Sequence, residues 1–160
     1  MNGENLRSSD RLLAFDVAGG FYALPIAEVA EVMDVPKIAV VPMLPGRIGG
    51  VANQHGDALP VVHGESLLGL ERSDATAPTH LLVLARDLDD PDRYGLPVDR
   101  VHGLVDGPVP PAAEDGVIAE RRPVEGRLMN VLDAKRLLER AVSVIEQSMT
   151  AGGRNNGGES

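Results

Sequence analysis

Four histidines, His55, His63, His80 and His102, are the residues best suited to metal or general-base chemistry. No two of them stand four apart, the spacing that sets a pair of imidazoles on one helix face at a zinc centre. No cysteine is present to complete such a site. His63 stands just before a short apolar turn, where a later segment carries Asp133, so a polar capping role is its plainest use. The carboxylates of Asp87-Leu88-Asp89-Asp90-Pro91-Asp92 lack the glycine and the closing glutamate of a calcium loop. They read as a solvated acidic hairpin tip. Ser8, Ser9, Ser66, Ser73 and Ser143 lie in no Gly-x-Ser-x-Gly elbow. The glycines from Gly46 to Gly56 carry neither a Gly-Lys-Ser/Thr ending nor a Gly-x-Gly-x-x-Gly pattern, so no phosphate cradle is expected. The expectation is a protein without a catalytic residue, a bound metal or a cofactor.

Composition narrows the partners. The net charge is −9 and the pI about 4.8, which argues against a nucleic-acid surface and favours basic patches on a protein partner. With two Phe, two Tyr and no Trp, an aromatic platform for bases is not expected either. Absence of cysteine removes a disulfide framework and a thiolate nucleophile. No run approaches the ~18 apolar residues that span a bilayer, so direct membrane insertion is not expected. Residues 1–10 are polar and lack the apolar core of a signal peptide. They read as a disordered leader and residues 149–160 as a flexible tail, on a chain expected in the cytoplasm.

The elements that must position any functional residue come in two similar sets. Phe21-Tyr22-Ala23-Leu24-Pro25-Ile26 followed by Val29 matches Arg93-Tyr94-Gly95-Leu96-Pro97-Val98 followed by Val101, at a constant offset of 72 positions. Pro60-Val61-Val62-His63 with Leu67-Leu68 matches Asn130-Val131-Leu132-Asp133 with Leu137-Leu138, at an offset of 70. Glycine and proline, 18 and 12 of 160 residues, read as turns between many short strands. Two small β units of this size need each other for a sufficient core.

Locally, Leu12–Val17 is a strand candidate and Ala18-Gly19-Gly20 a hairpin turn. Pro25 starts a short helix or irregular turn, with Ile26, Val29 and Val32-Met33 facing inward and Glu28 and Glu31 facing solvent. Val35–Val41 is a further strand, and the apolar run Leu81–Ala85 is one covered on both faces. Ile48 to Val62 reads as strand, tight turn and strand, with Gly56 free to take positive φ. Pro60 removes a donor there, so the outgoing strand is expected at an edge or beside a bulge. Asp133 caps a helix whose apolar stripe is Ala134, Leu137, Leu138, Ala141, Val142 and Ile145. The fold class is therefore mainly β: two intertwined barrel-like lobes, roughly residues 11–75 and 76–148, with a C-terminal helix, and spacing leaves open whether strands exchange between them. Spacing alone leaves open whether Val29, Val101 and Leu104 are core or an exposed edge.

Around the Ile48–Val62 corner stand Val41-Pro42, Pro45, Ile48, Gly50-Val51, Asn53, Gly56 and Pro60-Val61. In these residues the corner resembles the CheW-like domain of bacterial chemotaxis proteins. Tyr22 to Ile26, Val29-Ala30-Glu31-Val32, Tyr94 to Val101 and Met129 to Asp133 extend it over about residues 10–145. The resemblance implies two SH3-like five-stranded barrels around a shared core. It also implies an adaptor joining a CheA-type histidine kinase to the cytoplasmic tips of methyl-accepting chemoreceptors, recruited to receptor arrays. Carried over by position, Val29, Glu31, Gly50, Asn53, His55, Gly56, Val101 and Leu104 would lie at partner contacts. Two departures stand out. The family's Asn-Leu-Arg-Gly is Asn53-Gln54-His55-Gly56 here, and its Val-x-Asp-Leu is Val61-Val62-His63-Gly64. The loss of a permanently charged, forked arginine fits a divergent member with a different protein partner, serving for example pilus motility or polar localisation. Gly64 is expected to weaken the turn into Leu67-Leu68.

Overall fold

The computed structural model describes residues 11–35, 38–39, 48–70, 78–85 and 90–157, and side chains within them except at 38–39, 48–49 and 148–157. Eleven strands are present among these residues: β1 (Arg11–Val17), β2 (Gly20–Pro25), β3 (Val29–Asp34), β4 (Ile38–Ala39), β5 (Ile48–Gln54), β6 (Asp57–Val62), β7 (His80–Leu84), β8 (Tyr94–Val98), β9 (Arg100–Asp106), β10 (Ile118–Val124) and β11 (Arg127–Leu132). Two α-helices accompany them, α1 (Gly64–Leu68) and α2 (Ala134–Gly157), with a single 3-10 turn at Ile26–Glu28. The chain is mainly β, as its short apolar runs and turn residues predict. None of the described helices is long and apolar enough to cross a membrane.

The strands form a five-stranded sheet, β10-β11-β2-β1-β9, and a six-stranded sheet, β3-β7-β8-β6-β5-β4. The sixth strand is the two-residue β4; the other five match the first sheet one for one. Neither sheet is a contiguous half of the chain, so the expected division near residue 75 does not describe them. The β1–β2 hairpin of the first half lies with β9–β11, and the β7–β8 hairpin of the second half lies with β3–β6. Two short parallel joints make the exchange, Val131↔Ala23 between β11 and β2 and Val61↔Gly95 between β6 and β8. Those pairs are equivalent in the sequence repeat. The irregularities are equivalent too: breaks between Val29 and Glu31 on β3 and opposite Ala14/Phe15 on β9, and between Ile48 and Gly50 on β5 and Ile118 and Glu120 on β10.

Strand alternation explains how so few aromatics suffice. On β1, Leu13, Phe15 and Val17 face a central cluster, while Leu12 and Ala14 face the interior of the five-stranded sheet. On β7, Leu82 and Leu84 join the central cluster and Leu81 and Val83 fill the six-stranded sheet, so both faces are covered as expected. Tyr94, Leu96 and Leu132, with Leu67 of α1 and Leu137, Ala141 and Val144 of α2, complete the central cluster. Each sheet thus has a small core of its own and shares a larger one.

Several local expectations change. Beyond Glu28 the chain is extended, because β3 pairs with β7, and Val32 is 43% exposed rather than inward. Pro60 lies on an interior strand and not at an edge, but next to the register break that β5 makes opposite Val61 and Val62, the second of the two expected settings, and β6 meets β8 only at Val61. Gly64 opens α1 in a buried place where a Cβ would come within 2.6 Å of Val17 Cγ1, so close packing requires it. α2 continues to Gly157, into the stretch that composition marks as a tail, and among its described side chains, which run to residue 147, Val144 is the last buried one. The leader, most of the Val35–Val41 strand and residues 87–89 of the acidic tip lie outside the described residues.

Candidate partner-contact site

The turn between β5 and β6 is built by His55 and Gly56, at φ 52° and 91°, between the paired residues Gln54 and Asp57. Two successive positive φ values match the strand twist of a tight hairpin. Asn53 Oδ1 accepts the Gly56 N–H at 2.7 Å and holds the turn closed. Glu31 arrives from β3, which is hydrogen-bonded to β7 and not to either strand of this hairpin. His55 Nε2 lies 3.0 and 2.9 Å from its two carboxylate oxygens, and Gln54 Nε2 donates to Oε1 at 3.2 Å. Two residues selected in sequence, Glu31 and His55, therefore meet in space, although 24 positions separate them.

Behind this surface lies a second layer that the sequence reading did not select. Gln54 is only 3% exposed, and its Oε1 accepts the Arg93 Nε–H at 2.9 Å. Arg93, just before β8, also donates from Nη1 to the Asp90 carbonyl at 3.2 Å and pairs through Nη2 with Asp57 at 3.5 Å. Both residues were open to detection. Gln54 follows Ala52 at an inward-facing position of β5, and Arg93 stands where the repeat has Phe21. A polar residue at an inward strand position demands a partner.

The Gln54 amide is the leading cause that holds the Glu31 carboxyl below the ordinary glutamate range, with His55 adding to it and partial burial opposing it. The carboxylate is thus a settled anion in a hydrogen-bonded frame.

The other selected residues divide. Gly50 is buried on β5, at φ 120° beside the break in register. Val29 and Val101 are half-buried and pack against the central cluster. Leu104 is 50% exposed on β9, an edge of the five-stranded sheet. Val32, at the position equivalent to Leu104, is likewise exposed at the edge strand β3 and was missed because a helical period was expected there. The two sheets therefore carry matched apolar edge positions, while the Glu31–His55 corner belongs to the six-stranded sheet alone.

The remaining histidines go separate ways. His102 Nε2 pairs with Asp16 at 2.9 Å, beside Arg127, whose guanidinium lies 4.4 Å from the centre of the Phe21 ring. His80 lies 3.6 Å from Asp34 and 2.8 Å from the Thr79 hydroxyl. His63 occupies the N-cap of α1, but its side chain makes no capping hydrogen bond. Asp133, its counterpart, caps α2 by accepting from the Lys135 and Arg136 backbone N–H groups and ties down the Ala113 N–H. Burial pushes its carboxyl up, and those backbone bonds outweigh burial and hold it low. Among the described residues no three His, Asp or Glu side chains converge as a metal site would require.

The chain matches the CheW-like domain over residues 11–142. It is 33% identical over 98 residues to Protein PilI of Pseudomonas aeruginosa, a match that takes in 61% of this chain and 53% of PilI, so the chain spans about half the length of that curated relative. The crystal structure of the scaffolding protein TtCheW from Thermoanaerobacter tengcongensis shares the fold, at a TM-score of 0.63 and 20% identity, over 78% of this chain and 88% of that one. Interlaced sheets, repeated register and the matched span agree: the chain belongs to the CheW-like domain family.

Proposed function

We propose that this protein is a non-enzymatic adaptor that couples methyl-accepting chemoreceptor tips to a CheA-type histidine kinase and is recruited to membrane-associated receptor arrays. The observation that carries the reading is the CheW-like match across residues 11–142. Partner contacts are assigned to Glu31, Asn53, His55 and Gly56 at the corner, with Val29 on β3, Gly50 on β5, and Val101 and Leu104 on the other sheet. The corner supports this because it joins an exposed imidazole to a hydrogen-bonded frame. The test is calorimetry of the full chain against the purified kinase and a receptor-tip fragment from the same genome. Binding of either with a dissociation constant below about 50 µM is expected, and no heat with both contradicts the reading.

A second reading is favoured by the likeness to PilI together with Gln54 and His55 in place of the family's Leu-Arg. In it the same fold serves another pathway, pilus motility or polar localisation, and binds a different protein. Failure with kinase and receptor alongside binding to such a protein would select it.

A further inference from the structure

We propose that the corner offers its partner a hydrogen-bond acceptor, the Nδ1 lone pair of His55, and that Gln54, acting through Glu31, holds the imidazole hydrogen on Nε2. The inference rests on the functional reading above and names the chemistry on the other side: a hydroxyl, amide or ammonium donor, and not a carboxylate.

Arg93 sets the direction of this hydrogen-bond network. A guanidinium has donors only, so the Gln54 oxygen must face Arg93 Nε and the amide N–H groups must face Glu31. That fixes the amide without ambiguity and pins Glu31 Oε1. An ionised carboxylate only accepts, so the His55 Nε2 lying 2.9 and 3.0 Å from it carries the hydrogen. Neutral imidazole has a single N–H, which leaves Nδ1 as a bare acceptor. Among the described residues no hydrogen bond to Nδ1 is formed, and the side chain is 66% exposed. An arginine at this position would offer donors alone. Glu31 and His55 thus reverse the polarity that the family pattern presents at the same turn. Gln54 and Arg93 are positioning residues here; His55 is the contact.

Two measurements on the full chain decide the matter. Long-range proton–nitrogen NMR at pH 8 should show Nε2 of His55 protonated and Nδ1 bare, with Gln54→Leu and Glu31→Gln each shifting the mixture towards the opposite tautomer. A wild-type imidazole protonated at Nδ1 overturns the proposal. In binding to the CheA-type kinase, His55→Asn should stay within about threefold of wild type. Its Oδ1 sits close to the lost Nδ1, and asparagine accepts the positive φ. His55→Arg should bind about tenfold more weakly, the worth of one hydrogen bond. Equal or tighter binding by His55→Arg overturns the proposal. Wild-type chain that binds neither kinase nor receptor tip overturns the functional reading instead, and the nitrogen spectrum still decides the form of His55.

Discussion

Glu31 ties the corner to pH. Its carboxyl is held below the ordinary glutamate value, chiefly by the Gln54 amide and then by His55. A depressed folded value means that the ionised group stabilises the fold above the ordinary value and that this contribution disappears as pH falls through the depressed one. Glu31→Gln should therefore lower the melting temperature at pH 7 and flatten its fall on acidification below the ordinary glutamate range. Thermal scans at steps of pH check this; parallel curves for variant and wild type would contradict it. At this scale the sequence was partly legible. Glu31 and His55 were chosen through family resemblance, and their contact followed. Gln54 is marked as a polar residue at an inward position of β5, but its contact with Arg93 is not legible, because Arg93 belongs to the second repeat and reaches β5 only through the hairpin exchange. Gly64 was misjudged for a similar reason: its demand comes from Val17, far away in the chain. His63 shares a cap position with Asp133 but not the short carboxylate reach that makes a cap.

At the scale of elements, β3 and β9 sort the apolar candidates. Val101 is half-buried against the central cluster, whereas Leu104 faces out from an edge strand. Val101→Asp should cost about 2–4 kcal/mol of stability, because it drives a charge into apolar packing. Leu104→Asp should change stability by no more than about 0.5 kcal/mol and weaken partner binding. Denaturant titrations of both variants check the split, and equal losses would contradict it. Apolar spacing could not make this distinction. The run from Ile26 to Met33 fits a helical period of three as well as a strand broken by a bulge, and only pairing with β7 decides between them. Val32 is the residue hidden by that ambiguity.

For the whole molecule, the doubled pattern was legible because two offsets, 72 and 70, survive along the chain, and the paired registers repeat with them. The exchange of hairpins was not legible, since a repeat has the same spacing whether its strands pair within a half or across halves. Exchange matters to function. It makes one continuous core of both halves, so the corner of β3, β5 and β6 is braced by Arg93 from the other repeat. A rigid surface suits an adaptor, because little ordering entropy is lost when it binds. Hydrogen–deuterium exchange of the full chain, with and without saturating CheA-type kinase, tests the central claim most directly. Exchange is expected to slow at β3 and the β5–β6 turn, around Glu31, Asn53 and His55, and to change little on α2. Unchanged exchange at that turn with protection confined to α2 would contradict it.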